Sequence, residues 1–150
     1  MQAVNHVVAG SLLAVVLPDP VVVVPLAIAS HFAMDSLPHY GNDEHAPLGS
    51  RPYFYRIVVD TILSVLIVLF FAGLYPLHAP LIILCALCAI LPDLFWPAAA
   101  FVKQRGPLWK FFVLHKTIQR ESRRGIWVEL VWFLVTFEVT IQLVHRMLRS

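Results

Sequence analysis

Long apolar runs, cut by proline-rich or charged breaks, most constrain what this chain can fold into. The run from Tyr53 to Leu74 exceeds the ~20 helical residues that span ~30 Å of hydrocarbon at about 1.5 Å each. In lipid the backbone must satisfy its own hydrogen bonds, so such runs fold as helices. Composition agrees: 59% of the residues are hydrophobic and 13% charged, with a mean hydropathy of +0.78. Soluble domains run at roughly 45–50% apolar and 25% charged. The 150 residues are read as one all-α domain, a polytopic membrane bundle. It should hold about four to five transmembrane or membrane-embedded helices plus a basic amphipathic helix.

The breaks set the helix limits. A first helix is expected from about Gln2 to Leu17, ending at "LPDP", where Pro18 and Pro20 force an extended turn. A second runs from about Val21 to Leu37, and Pro38 ends it. "HYGNDEHAPLGSRP" follows as a solvated loop. Further helices are expected over Tyr53 to Leu74, Ala79 to Phe95 and Ile126 to Arg146, with "YPLHAP" as a tight link. The first two are marginal in length and predict a hairpin that only partly crosses.

Seven of the eleven Lys and Arg residues lie between Lys103 and Arg124, which assigns that segment to the cytoplasm. Counting back through alternating spans puts the N-terminus and the His39 to Pro52 loop on the same side. The C-terminal "HRMLRS" then falls on the far side, against the charge rule; an interfacial last helix would remove the conflict. Cys85 and Cys88 sit inside an apolar run with no second pair, and are read as small membrane-helix residues. No basic region precedes the first apolar stretch, which His6 interrupts, so no signal peptide is expected.

Antiparallel connectivity brings the ionisable residues to one end. His6 lies near the start of the first helix, and His31, Asp35 and His39 lie in the last turns of the second. Asp60 begins the third helix, Asp93 ends the fourth, and Glu129 begins the last. Asp19, in the "PDP" turn, falls at the opposite end. Ionisable groups in a membrane bundle cost from ~2.5 kcal/mol upward, so they are paired, line a cavity or bind something.

His31 and Asp35 are four residues apart and share a helix face, presenting a nitrogen and an oxygen to one point. That mixture suits a divalent metal, zinc first. After Pro38, His39 either folds back toward that point or stands at its mouth. Alternatively, His31 and Asp35 form a polar pair that fixes helix packing beside Ala29, Ser30 and Ala33. Asp60, four residues after Arg56, is expected to form a local ion pair, and Glu129 to pair with Arg123 or Arg124. Asp60 is also kept as a carboxylate that could orient a ligating imidazole. His45, His78 and His145 take no role.

In "GPLWKFFVLHKTIQRESRR", Pro107 suits a first helical position. Leu108, Phe111, Phe112, His115 and Ile118 recur at helical steps. His115 is thus aimed at the bundle mouth, while Lys110, Lys116, Arg120 and Arg123 face water or anionic headgroups. The tryptophans are read as interfacial anchors or packing, and the basic stretch as a membrane contact, so no nucleic acid partner is expected.

Four motifs, "NHVVAG", "ILPDLFW", "FVLHKTIQRE" and "SHFAMDSLPH", resemble those of the membrane-bound metal-dependent hydrolases of bacterial inner membranes. That family is distantly similar to the zinc-dependent phospholipase C and single-strand nuclease superfamily. The resemblance implies metal-binding roles for His6, His31, Asp35, Asp93 and His115. Here the His-Asp motif precedes the Pro-Asp motif, the reverse of the usual order. Phe95 stands where the family has a second Asp, and Gln119 and Arg120 stand near its second His. Of the two "LPD" sequences, the end-to-end placement selects Asp93 over Asp19.

The expected function is metal-dependent hydrolysis at the cytoplasmic membrane face, with a lipid-like phosphoester as substrate. Asp60 or Glu129 would take the proton. The rivals are a proton or metal-ion transporter and a helical scaffold. Ionisable groups crowded at one end favour a fixed site over a pathway through the membrane.

Overall fold

The computed structural model describes residues 1–41, 50–95, 106–122 and 124–149. Its helices are α1 (Ala3–Val16), α2 (Pro20–Asp35), α3 (Arg51–Leu74), α4 (Ala79–Leu94), α5 (Pro107–Ile118) and α6 (Gly125–Met147). A 3-10 turn, Pro76–His78, joins α3 to α4. The class is all-α, as the apolar periodicity predicts. Trp96, Lys103, Arg105, Arg123, His45 and most of the expected solvated loop lie outside the described residues.

Local chemistry explains the ends. Asp19 is the N-cap of α2: its carboxylate accepts from the Val21 amide at 2.9 Å, with Pro20 in the first turn. The Ser50 hydroxyl likewise accepts from the Tyr53 amide at 3.3 Å. That cap starts α3 at Arg51, two residues before the sequence-based limit, because Pro52 fits a first turn.

Three segments are long and apolar enough to cross a membrane: Arg51–Leu74, Pro76–Leu94 and Gly125–Met147. The 14 residues of α1 and 16 of α2 reach only ~21 and ~24 Å at 1.5 Å per residue. Of the two, α1 forms the inside of the bundle, and α2 lies against α1 and α4. α1 packs against α2, α3, α4 and α6. Gly10 permits its closest approach, since a Cβ there would lie 2.5 Å from the Cys85 carbonyl oxygen. Cys85 and Cys88 are free thiols on α4, as expected of small membrane-helix residues.

Burial is inverted relative to a soluble protein. Asn5, His6, Ser11, His31, Asp35, His115 and Thr140 are almost wholly enclosed, while Val65, Leu69, Leu130 and Val131 are about half exposed or more. An outer surface of this kind fits hydrocarbon.

Two short strands were not anticipated. Pro38–His39 (β1) pairs in parallel with Arg120–Glu121 (β2), and the Ser122 amide adds a bond to the His39 carbonyl at 2.8 Å. The pairing ties the end of α2 to the link between α5 and α6. Gly125 lets it close, because a Cβ there would run into the His39 backbone carbonyl.

Candidate metal centre

Helix ends bring four side chains to one point. His31 and Asp35 come from the last turns of α2, Asp93 from the end of α4, and His115 from α5. One ligand atom from each lies within 4.8 Å of all the others, so the group could hold a metal ion. His31 Nε2 is 3.0 Å from His115 Nε2, 3.2 Å from Asp35 Oδ2 and 3.6 Å from Asp93 Oδ1. His115 Nε2 is 3.1 Å from Asp35 Oδ2 and 3.5 Å from Asp93 Oδ1.

Those separations pass a simple test of fit. Ligands about 2.0–2.1 Å from a shared tetrahedral centre are roughly 3.3–3.4 Å from one another. The tautomer passes a second. His31 Nδ1 lies 2.8 Å from the Ala89 carbonyl, which can only accept, so Nδ1 carries the hydrogen. The lone pair of His31 is then on Nε2, aimed at two carboxylate oxygens and a second imidazole. An imidazole oriented by a backbone carbonyl on its far nitrogen is the usual support of a metal ligand.

The surroundings are half greasy and half open. Phe32 meets the His31 and His115 rings edge-on at 5.3 and 5.6 Å between centroids. His31, Asp35 and His115 are fully enclosed, whereas the Asp93 side chain is 35% exposed and marks the mouth. Gln119 Nε2, 3.4 Å from His115 Nε2, also borders the group.

His6 stands at its edge. Its ring stacks on His31 at 4.2 Å between centroids, and its Nε2 lies 3.3 Å from Asp35 Oδ1. The Met1 amino group contacts the same oxygen at 2.6 Å. Asp35 thus turns Oδ2 to His31 and His115, and Oδ1 to His6. Asp93 falls in the group, while Asp19 caps α2 elsewhere.

Three expectations need correction. His39 is outside the four-residue group: strand pairing holds its backbone, and its Nδ1 bonds the Leu37 carbonyl at 2.9 Å. Burial pushes its imidazole below the ordinary 6.5. Among the described residues Asp60 makes no ion pair with Arg56; its oxygens accept from the Ala3 and Val4 amides at 2.7 and 3.0 Å. Those are the orphan donors at the start of α1, which its helix leaves unsatisfied. The Arg56 guanidinium sits instead over the Tyr40 and Tyr53 rings, 5.9 and 5.7 Å from their centroids. Leu108 is the third, at 60% exposure, because only Phe112 and His115 of α5 are fully buried.

Glu129 is nearly enclosed and accepts from the Tyr40 amide at 3.0 Å and from Asn5 Nδ2 at 3.4 Å. It links α6, α1 and the segment after β1. Sequence reading gave no role to Asn5 or the Ala89 carbonyl, and named Gln119 only as standing near the family's second His. A backbone oxygen leaves no mark in a sequence, and a neutral amide gives no charge signal.

In comparisons with known proteins, no family model matches this chain, and no curated protein or solved structure matches it.

Proposed function

We propose that this chain is a multi-pass membrane protein, a metal-dependent hydrolase of a bacterial inner membrane, with its centre at the cytoplasmic face. The observation that carries the reading is the convergence of His31, Asp35, Asp93 and His115, with the His31 tautomer set by Ala89. These four residues would hold a divalent cation, zinc by their nitrogen and oxygen donors, with His6 beside Asp35. When bound, such a cation supplies Lewis acidity and a water that ionises near neutral pH.

The protein's own groups would do the rest. Asp93, at the mouth, faces whatever enters, and the Phe32 wall keeps bulk water from the imidazoles. Asp60 and Glu129, the two carboxylates proposed to accept a proton, lie around the start of α1. Their bonds to amide groups fix them there, and proton transfer would run through that end of the bundle. A centre at headgroup depth favours a lipid-like phosphoester over a soluble substrate.

Elemental analysis of detergent-purified protein from metal-replete medium tests the centre. One divalent ion per chain is expected in wild type, and none in His31→Ala or Asp35→Ala. Wild-type protein without stoichiometric metal would overturn the reading. If metal is present, turnover of phosphodiester and carboxylester probes separates an enzyme from a metal-binding scaffold or transporter. A metal-loaded protein inert to both classes of probe would end the hydrolase proposal.

A further inference from the structure

The helix α5 has few holds on the bundle. Only Phe112 and His115 of its 12 residues are fully buried, and it packs chiefly on α2. Val113 and Leu114 are each about half exposed, and Lys110 and Lys116 are exposed as well. Isolated helices shorter than about 12–15 residues are marginal in water, so α5 keeps its form through what it docks on.

Part of that hold is an apolar seam. The Phe111 and His115 rings meet Phe32 of α2 at 6.1 and 5.6 Å between centroids. The rest is the candidate metal centre. His115 Nε2 stands 3.0 Å from His31 Nε2, 3.1 Å from Asp35 Oδ2 and 3.5 Å from Asp93 Oδ1. All three are acceptors, because Ala89 leaves the lone pair of His31 on Nε2 and ionised carboxylates have no hydrogen to give.

That arrangement is short of hydrogens. A neutral imidazole brings at most one to the three acceptors, and two of these, on His31 and Asp35, are fully enclosed. With α5 docked and the centre empty, an enclosed lone pair faces another; with α5 lifted, water satisfies both. A cation at the centre accepts all of these lone pairs at once, and it gains the His115 ligand only while α5 is docked.

The far end of α5 is held differently. Gln119 leaves the helix with extended backbone, φ −60° and ψ 126°, and Arg120–Glu121 then form β2, clipped to β1. That clip contains no member of the metal group.

We propose that a divalent cation bound between α2, α4 and α5 latches α5 as a cover on the centre. With the ion bound, α5 is docked over His31 and Asp35. Without it, α5 pivots away about Gln119 while the β1–β2 pair stays closed, which opens the way in for the ion. The inference rests on the metal-dependent reading above and adds to it what controls access to the centre.

Hydrogen exchange read by mass spectrometry tests it on the full chain in detergent, with zinc content measured in the same samples. Peptides from Pro107–Ile118 should exchange about 100-fold more slowly with free zinc at roughly 100 times its dissociation constant than after chelation, the factor by which such a ligand favours the state it binds. Peptides of α6, and the peptide holding the Ser122 amide of the clip, should exchange alike in both. Asp93→Asn, a change on α4 that leaves the Phe32 seam intact, should raise the zinc needed to slow α5 in step with its loss of affinity. His115→Ala should exchange fast in α5 with zinc or without.

Slow exchange in α5 that survives chelation would overturn the latch and leave the metal reading standing, because zinc would still be counted in the loaded sample. Protection lost from α5 and α6 together would overturn it in favour of an ion that holds the whole bundle. Zinc absent from the wild type would end both readings.

Discussion

Two polar clusters occupy the same end of this bundle, and they are built on opposite principles. Around Asp60 and Glu129, each carboxylate oxygen meets an N–H: the Ala3, Val4 and Tyr40 amides and the Asn5 side chain. Acceptors and donors balance, so the cluster is a clamp that seats α1. Around His31, Asp35, Asp93 and His115 the groups facing inward are chiefly lone pairs. Such a set could hold a cation at its centre, a proton or a metal. Charge count alone does not separate a binding site from a strut; the balance of donors to acceptors does.

The sharpest way to break this contrast is to remove one acceptor from the metal group and, as a control, one that lies outside both clusters. Asp93→Asn should lower metal affinity by more than the 10–100-fold typical of partners outside the ligand set, as measured by metal titration. Asp19→Asn, at the other end, should leave affinity unchanged. If Asp19→Asn lost the metal and Asp93→Asn kept it, the ligand assignment would be wrong.

Next in size is the strand clip. Gly125→Ala places a methyl group against the His39 backbone and should destabilise the fold by about 1–3 kcal/mol in thermal unfolding in detergent. Unchanged stability would show that β1 does not pack there. In the clamp, Glu129→Ala strands the Tyr40 amide and Asn5 and should cost roughly 1–3 kcal/mol by the same measurement, with metal stoichiometry intact. Loss of metal in that variant would merge the two clusters into one.

The smallest effect is a pH dependence of the clip. Burial lowers the His39 pKa, so the unfolded state binds more protons as pH falls. The clip should hold fully above about 6.5, the ordinary histidine value, and loosen below it. Amide exchange at Ser122 reads this, because its N–H is bonded to the His39 carbonyl. His39→Gln should flatten the profile; a profile that persists belongs to another group.

Much of the fold and part of the site were legible in the residues. Helix limits came within a few positions because Pro18, Pro20, Pro38 and Pro107 act locally on the backbone. The gathering of His31, Asp35 and Asp93 followed from antiparallel order, and the arrival of His115 from its place on the apolar face of α5, neither of which needs knowledge of packing. The destination of Asp60 did not follow. Arg56 is its neighbour in sequence, whereas the donors it meets are 56 and 57 residues away. His39 was equally open, since a residue after a helix-ending proline has many directions and a strand partner more than 80 residues away selects among them.

That this chain is a bundle of apolar helices with most of its membrane-embedded ionisable groups at one end could be read from its residues alone. Hydropathy and proline punctuation act within a segment, and connectivity does the rest. Packing between the helices was needed to put the short α1 in the middle and to let Ala89 set the lone pair of His31. It alone also divided the carboxylates between clamp and candidate metal centre. Those outcomes depend on contacts between segments, on directional hydrogen bonds and on the room left by Gly10 and Gly125, quantities that no local stretch of the chain contains.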